Sequence, residues 1–392
     1  MTRLVLINQS TGPLFFELAS SIAQFFPEGA LLVTGTPGLD PCPSLQIKSA
    51  PEYDRRSHFH RLRSWISYTL SVTWLLLFPG RNDVFLIVSN PPLLVPWIWL
   101  LNNFRKFRYA VLVYDLYPDV FVQKGILNYE SLITDFWKKM NRLSYRRANV
   151  VITIGNRMAS ILERQIGTDR TAVKVIPPWA DVETIRPLAR CDNPYASNYV
   201  PSEKTVVLYS GNMGASHDIS SILEAARLLR ENSDIFFLLI GGGEKFSEVQ
   251  RFIRSEVLNN VSVLPWQPQA KMLYTVPLGD IALVSVDVGM GDLMLPSKAF
   301  SYIAAGCSVV AIAPPNSELS DFVSRGKFGV RVSPRQPRAL AAAISAIASD
   351  REKLTQMRLE ARRAAEKYYS RNTGVLAFRD VFADFALLRR NN

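Results

Sequence analysis

Residues 280–313, DIALVSVDVGMGDLMLPSKAFSYIAAGCSVVAIA, contain the pattern that decides the fold. The apolar run Ile281–Val286 predicts a buried strand, and a polar, glycine-containing loop follows it. A small-residue segment ending at Gly306 predicts a helix, and Ser308–Ala313 predicts a second strand. Strand, helix and strand in this order indicate a parallel βαβ unit.

The loop of this unit predicts a site for an anion. In a βαβ unit it lies at the carboxyl edge of the sheet, where α/β proteins bind ligands. We expect a helix to open at Pro296 and to direct free N–H groups at the ligand. Lys298 adds a positive charge in the first turn, where the helix dipole disfavours it, and this favours a phosphate site. The alternative is an ordinary loop with a solvated lysine.

Short apolar runs alternate with helical segments on both sides of this stretch. The second half of the chain has four further strand-like runs: Val206–Ser210, Ile235–Ile240, Val261–Leu264 and Gly329–Val332. The first half has six: Leu4–Asn8, Ala30–Thr34, Asp83–Ser89, Ala110–Tyr114, Val150–Ile154 and Val173–Ile176. This alternation predicts the α/β class, with two Rossmann-like domains built on parallel sheets.

The prolines in Ile176–Asp181 indicate the connection between the two domains, because they remove backbone donors and stiffen the chain. We expect an N-terminal domain over residues 1–180 and a C-terminal domain over residues 181–365. Residues 366–392 are predicted to form a helix that packs back on the N-terminal domain.

Composition limits the class of protein. The chain has 392 residues, of which 48% are apolar and 20% charged, as in globular proteins. Three widely spaced cysteines predict neither a disulfide framework nor a zinc site, and the first apolar run is too short for a signal peptide. Both observations favour the cytoplasm. The oligomeric state is not indicated.

The net charge of +11 is uneven, with 20 Lys/Arg against 12 Asp/Glu in residues 1–180. This half is therefore expected to meet an anionic surface or substrate. No helix-turn-helix, zinc-finger or RNP signature occurs, so nucleic acid is not an expected partner.

Two glycine-rich loops follow strands of the second domain. They are Tyr209–Gly214, YSGNMG, and Ile240–Glu244, IGGGE. Glycines after a strand let backbone amides approach a diphosphate, although either loop alone is equally consistent with a tight turn. Neither is a Walker A loop, and neither has the full G-x-G-x-x-G spacing of nicotinamide dehydrogenases.

The first domain contains two apolar segments flanked by cations. Trp65–Phe78 is short of the ~20 residues that span a bilayer as a helix, and Leu93–Leu101 is shorter. Tryptophan beside Lys/Arg is typical of helices in the headgroup region, whereas the alternative is two core helices with solvated cations. The residues predicted to meet the acceptor or the membrane are Trp65, Trp74, Trp97, Trp99, Arg105, Lys106 and Arg108.

Two polar clusters of the first domain allow a functional and a structural interpretation. Asp115 follows a strand within DLYPD, where it is either a carboxylate that accepts a proton or a helix N-cap or turn aspartate. Asp119 is a weaker candidate. His58 and His60 lie in the basic segment 55–63 and do not share a helical face, so no metal site is predicted.

The ordered set of motifs resembles a known family. Pro-Pro-Trp at 177–179, SGNMG at 210–214, LIGGGE at 239–244, LPSK at 295–298 and AAGCSVVA at 304–311 look like the GT-B retaining glycosyltransferases of family 4. Within this family the chain is most similar to bacterial transferases of exopolysaccharide, capsule or O-antigen synthesis. The resemblance implies two Rossmann-like domains facing each other across a cleft.

The resemblance also implies roles for individual residues. The catalytic set is Asp115, Lys298 and Asn212. The donor-binding set is Gly12, Gly211, His217, Gly241, Gly242, Gly243, Trp266, Gln267, Pro296, Ser297 and Ser301. Relatives commonly carry two glutamates with seven residues between them in the LPSK region, and these positions are Leu293 and Ser301 here. The usual ribose-binding carboxylate is therefore absent from this position.

The resemblance implies transfer of a sugar from a nucleotide-diphosphate donor to a polyprenyl-diphosphate-linked saccharide, with retention and without a metal or cofactor. The implied partners are the nucleotide sugar, the lipid-linked acceptor and an anionic membrane surface, at the cytoplasmic face of the plasma membrane. Because the sequence nominates no carboxylate nucleophile, front-face displacement is the preferred hypothesis. The alternatives are a nucleotide-sugar epimerase or hydrolase of the same fold, and a catalytically inactive membrane-docked partner.

Overall fold

The computed structural model describes residues 2–54, 56–167, 171–214, 217–289, 291, 293 and 295–387. The chain divides into two compact units. The first comprises the residues up to Pro177 together with those from Gly374 on, and the second runs from Pro178 to Thr373. Each unit is built on its own parallel sheet, which confirms the predicted α/β class with two Rossmann-like domains.

The sheet of the first unit has seven parallel strands in the order β3-β2-β1-β4-β5-β6-β7. They are β1 Arg3–Ile7, β2 Ala30–Thr34, β3 Leu45–Ser49, β4 Asp83–Val88, β5 Arg108–Val113, β6 Val150–Thr153 and β7 Ala172–Val175. The sequence pattern missed β3. This strand is at the sheet edge and alternates buried Leu45 with exposed Gln46, so it lacks the continuous apolar run of a central strand.

Six helices connect these strands. They are α1 Pro13–Ala23, α2 His58–Leu77, α3 Leu94–Phe104, α4 Asp119–Gln123, α5 Leu132–Arg147 and α6 Asn156–Ile166. Local chemistry sets several of their starts: Pro13 occupies the first turn of α1, and the Ser131 hydroxyl accepts the Thr134 N–H at the start of α5 (3.2 Å). The loops after β1, β4 and β5 lie at one edge of the sheet.

The sheet of the second unit has six parallel strands in the order β10-β9-β8-β11-β12-β13. They are β8 Thr205–Asn212, β9 Ile235–Gly242, β10 Val261–Leu264, β11 Ile281–Ser285, β12 Ser308–Ile312 and β13 Gly329–Val332. β8 and β9 are longer than predicted, because their pairing continues into the glycines, with Gly211 opposite Gly241 and Asn212 opposite Gly242.

Helices flank this sheet and close the chain. They are α7 Ala196–Tyr199, α8 Ile219–Leu228, α9 Phe246–Ser255, α10 Met272–Thr275, α11 Lys298–Ala304, α12 Glu318–Gly326, α13 Pro337–Ser349, α14 Arg351–Tyr368 and α15 Arg371–Leu387. In α15, Phe382 packs edge-on against Phe26 with ring centroids 5.7 Å apart, so this part of the helix belongs to the first unit.

The helix predicted to open at Pro296 begins at Lys298 instead. The N–H groups of Ala299 and Phe300 bond to the carbonyls of Pro296 and Ser297, which makes these two residues a tight turn before α11. The helix has only seven residues, and Gly306 follows it with φ +69°. Lys298 is therefore the first helical residue.

Candidate functional site

The two predicted glycine loops lie side by side at the carboxyl edge of the second sheet. Gly211, Gly241 and Gly243 have φ values of +145°, +144° and +123°, which side chains rarely allow. A β-carbon at Gly241 would stand 1.9 Å from the Gly211 carbonyl oxygen, and one at Gly243 would stand 2.4 Å from Asn212 Oδ1. Only glycine fits at these positions, so both loops present bare backbone at this edge.

We expect Gly241→Ala to destabilise the second unit by about 2–4 kcal/mol, because the new methyl group meets a carbonyl and φ is positive. The measurement is urea unfolding. Gly125→Ala is the matched control, since Gly125 also has a positive φ (+68°) but no atom lies within 4 Å of the position that a β-carbon would take. It should cost about 1–2 kcal/mol. Equal losses in the two variants would contradict the close packing of the loops.

Lys298 carries its charge into these loops. Its ammonium nitrogen lies 3.1 Å from the point where a β-carbon of Gly211 would stand and 4.0 Å from the centroid of the Tyr209 ring. The residue is half-buried, but this nitrogen is enclosed and has no hydrogen-bond partner in the described part of the chain. Burial lowers the pKa of Lys298 to about 7. An anion among the glycines would supply the missing counter-charge.

His217 is buried beside the same loops. Its Nδ1 lies 2.9 Å from the Ser285 carbonyl oxygen, which can only accept, so Nδ1 carries a proton. Burial, and then the charge of Lys298, lowers the pKa of His217 to about 4. The imidazole is therefore neutral near pH 7, with Nε2 as an acceptor. Lys245 donates to the His217 carbonyl at 2.8 Å and brings a second lysine to this region.

Two buried tyrosines to which the sequence analysis assigned no role fix the conformation of the first glycine loop. The Tyr302 hydroxyl donates to the Ser210 carbonyl (2.9 Å) and accepts the Ser210 N–H (2.7 Å). The Tyr209 hydroxyl donates to the Asn212 carbonyl at 2.6 Å. Tyr302 follows Lys298 by four residues on α11 and so shares its helical face, which is the signal that could have identified it.

The other predicted donor-binding residues surround the same edge. Trp266 is 59% exposed, and its indole nitrogen would lie 2.6 Å from a β-carbon at Gly242. Gln267 donates to the Pro265 carbonyl at 3.0 Å, and Asn212 is exposed. Ser301 is half-buried on α11, whereas Leu293 is buried. The structure thus gathers the two glycine loops, Lys298, His217 and Trp266 within one unit.

Asp115 lies just after β5, at the carboxyl edge of the first sheet. Its backbone N–H approaches the Ser89 hydroxyl at 3.4 Å, and burial raises the pKa of its carboxyl against the opposing charge of Lys124. The helix that follows is α4, which begins at Asp119 and has Pro118 at its N-cap. Asp115 is therefore not the N-cap of α4; it lies in the bend between β5 and this helix, as the turn interpretation expects. Asp119 forms an ion pair with Lys138 at 3.2 Å.

Gly12 precedes α1, and no atom lies within 4 Å of its β-carbon position. Backbone at Gly12 thus faces open space. Gln9 is fully buried, and its amide nitrogen donates to the carbonyls of Ser64 (2.9 Å) and Pro51 (3.3 Å). These two hydrogen bonds tie α2 and the segment before it to the end of β1.

The aromatic and basic residues predicted for the acceptor side occupy different environments. Trp74 is 70% exposed, whereas Trp65 is half-buried and stacks on Tyr53 with centroids 6.1 Å apart. Trp97 donates to Thr73 at 2.9 Å, which joins α3 to α2. Trp99 lies under the Arg147 guanidinium.

Arg105 and Lys106 are exposed just after α3. Arg108, by contrast, is half-buried in β5 and lines a separate depression with Phe26 and Phe382. Among the described helices, none is both long and apolar enough to cross a bilayer.

His58 and His60 are the two histidines at which the sequence predicted no metal site. The Ser57 hydroxyl accepts the His60 N–H at 3.3 Å and contacts its ring at 2.7 Å, so this pair belongs to the start of α2. Arg55 of the same basic segment lies outside the described residues. Within the described ranges, the His, Cys, Asp and Glu side chains form no group of three that could hold a metal ion.

Residues 196–364 match the family model described as glycosyl transferases group 1. The second unit thus contains a glycosyltransferase group 1 domain, and it includes both glycine loops and Lys298. The predicted resemblance to glycosyltransferases is confirmed for this domain at the level of group 1.

Two curated sequences are homologous to the chain. WbjE of Pseudomonas aeruginosa, named as a glycosyltransferase, is 28% identical over 267 residues, which cover 68% of this chain and 66% of WbjE. WcaI of Escherichia coli, named as a glycosyl transferase of colanic acid biosynthesis, is 29% identical over 190 residues, or 47% of this chain and 46% of WcaI. The matched segments span about two thirds and about half of these relatives.

Solved structures show the GT-B fold over nearly the whole chain. Sucrose-phosphate synthase of Thermosynechococcus elongatus is 16% identical with a TM-score of 0.75 and covers 99% of this chain and 100% of its own. Anabaena HepE, solved with UDP and glucose, is 14% identical with a TM-score of 0.73, and the match covers 98% of this chain and 100% of HepE. WaaG, a glycosyltransferase involved in lipopolysaccharide biosynthesis, is 12% identical with a TM-score of 0.69, and the match covers 96% of this chain and 98% of WaaG. At these identities the likeness concerns the fold alone.

Proposed function

We propose, from the glycosyltransferase group 1 domain of the second unit, that this protein transfers a sugar from a nucleotide-diphosphate donor to a lipid-linked saccharide in cell-surface polysaccharide synthesis. The single observation that carries the proposal is the enclosed, unpartnered ammonium of Lys298 against the backbone of Gly211. The names of WbjE and WcaI support the class of reaction and the polysaccharide context.

In this proposal the second unit holds the diphosphate of the donor. Exposed backbone at Gly211 and Gly241–Gly243 lets amide groups approach the phosphates, and Lys298 supplies the positive charge. Negative charge grows on the diphosphate as the glycosidic bond breaks, and a fixed ammonium in an enclosed site stabilises that charge more than water would. His217 is neutral at pH 7, so its contribution is hydrogen bonding through Nε2 rather than charge. Exposed Trp266 is the proposed support for the nucleoside base.

The first unit provides the proposed acceptor side. Burial raises the pKa of Asp115 and makes its carboxylate a better proton acceptor for the attacking hydroxyl. We further propose retention by front-face displacement without a metal ion, because Lys298 can stabilise the leaving diphosphate and the sequence nominates no carboxylate nucleophile. Cations and exposed aromatic residues on α2, α3 and α5 support a peripheral or monotopic position at the cytoplasmic face of the plasma membrane.

The donor proposal predicts a pH-dependent affinity for nucleoside diphosphates. Binding requires the charged form of Lys298, whose pKa in the ligand-free protein is about 7. Affinity should therefore be flat below pH 7 and fall as pH rises further, by up to about tenfold per unit. Thermal-shift titrations of UDP, GDP and their sugars between pH 6 and pH 9 measure this, since a ligand of the native state raises Tm.

The control is Lys298→Met, which should bind more weakly and show no decline over this pH range. A nucleotide sugar that raises Tm equally in both proteins at every pH contradicts the assigned role of Lys298. Absence of any shift across the set contradicts the donor site itself.

A further inference from the structure

An apolar depression lies between α2, α3 and α5 of the first unit, and we call it the helical groove. Its volume is about 840 Å³, within the roughly 300–1,000 Å³ of sites that enclose small organic ligands. Leu70, Leu100, Phe136 and Met140 are among its walls, and Leu70 and Phe136 are 58% and 64% exposed. Such open apolar surface is costly in water and indicates an occupant.

Charge around the helical groove restricts what that occupant is. Helix α5 carries five Lys/Arg and a single acid, and α2 carries two arginines and no acid. Arg105 and Lys106 are exposed just after α3. The surroundings thus favour a molecule with an anionic group beside its apolar part.

A chain of aromatic contacts leads from the helical groove to Asp115. Trp137 lines the groove and contacts Phe121, with ring centroids 5.8 Å apart. Phe121 in turn contacts Trp65 at 6.0 Å and Tyr117 at 4.9 Å. Tyr117 follows Asp115 by two residues in the chain, and burial, and then the charge of Asp115, raises the pKa of Tyr117.

The aromatic cluster also offers hydrogen-bond donors. The indole nitrogens of Trp65 and Trp137 are enclosed and have no partner in the part of the chain that the structure describes. An enclosed donor without an acceptor is unfavourable, and a ligand with oxygen atoms would satisfy it. The apolar groove is thus followed by aromatic rings that carry hydrogen-bond donors, and these are followed by Asp115, the candidate proton acceptor.

We propose that the helical groove binds the hydrocarbon chain of the acceptor, a prenyl diphosphate carrying a saccharide, and that the Trp65–Phe121–Trp137 cluster receives its polar head next to Asp115. This inference rests on the proposed function and names its acceptor site. A protein partner fits less well, since interfaces carry about one hydrogen bond per 100–200 Å² and the groove walls are almost entirely apolar.

The test is binding of a chain-length series to the full-length protein. Isopentenyl, geranyl, farnesyl and geranylgeranyl diphosphate are titrated in detergent-free buffer, with tryptophan fluorescence as readout, because Trp97, Trp99 and Trp137 line the groove. Affinity should rise at least about tenfold from the five-carbon to the twenty-carbon compound. Leu70→Glu and Phe136→Glu should reduce the affinity for the twenty-carbon compound to that for the five-carbon one.

Leu359→Glu is the matched control, since Leu359 is 49% exposed on α14 of the second unit, and it should bind as the unmodified protein does. Affinity that is independent of chain length, or unchanged in folded Leu70→Glu and Phe136→Glu, overturns the inference. So does a dimer abolished by Leu70→Glu, which assigns the groove to a second copy. Failure of the proposed function is separate, because it appears as the absence of any nucleotide-induced rise in Tm.

Discussion

We expect Lys298→Met to lower kcat for the proposed sugar transfer by about 10²–10³-fold, the usual effect of removing one preorganised group that stabilises developing negative charge. In the ligand-free protein the same change leaves Tm equal or higher. The ammonium is enclosed without a partner, and its pKa of about 7 lies below the ordinary lysine value. The charged lysine thus destabilises the folded state below pH 7, and this cost disappears as pH rises toward 10.

Lys367→Met is the control for this experiment, since Lys367 is exposed on the same unit and should change neither kcat nor Tm. Turnover and Tm are measured on the same preparations of all three proteins. Near-normal turnover of Lys298→Met would remove the lysine from the mechanism. A fall in turnover that is accompanied by a lower Tm would instead assign it a structural role.

Asp115→Asn lowers kcat by about 10²–10⁴-fold if the carboxylate accepts the proton of the acceptor hydroxyl. The substitution preserves size and removes the basicity, so donor binding should be unchanged. Burial raises the pKa of Asp115, and the acid limb of the pH–rate profile should therefore lie above the ordinary aspartate value. The variant should lack this limb. Initial rates from pH 4 to pH 8 provide the measurement.

Asp119→Asn is the matched control, four residues along the chain and paired with Lys138 at 3.2 Å. Loss of this partly exposed pair should cost at most about 1 kcal/mol and leave the pH–rate profile intact. If Asp115→Asn retains both its rate and its acid limb, another group accepts the proton. If Asp119→Asn shows the larger loss, the two roles are reversed.

The sequence predicts a strand well wherever a short run of apolar and β-branched residues lies between turn residues. Ala30–Thr34, Val261–Leu264 and Gly329–Val332 were predicted with their observed bounds for this reason, although the last two are edge strands of intermediate burial. The strand Leu45–Ser49 was missed since its alternating, polar pattern depends on a neighbour that the sequence does not identify. The start of α11 was placed two residues early, because proline in a first turn is common but here belongs to the preceding turn.

The sequence predicted the glycine loops and the lysine of the candidate site, but not the tyrosines that hold the first loop in place. Glycines after strands and the lysine of LPSK stand out in the sequence, and the structure brings them together. Tyr302 and Tyr209 did not stand out, because an aromatic residue in an apolar segment is typical of a core. The helical groove was not predicted either, since its walls come from three helices that are far apart in the sequence, between residues 66 and 143.

The double hydrogen bond between Tyr302 and Ser210 has a consequence for how such a protein changes its specificity. It joins the helix that carries Lys298 to the first glycine loop, so the position of the lysine relative to this loop is fixed from within the unit. Residues outside this connection, such as Trp266, Gln267 and Ser301, can be exchanged without disturbing it. In the proposed donor site, changes at these outer residues could thus alter the sugar or base that is accepted while the phosphate-binding part stays the same.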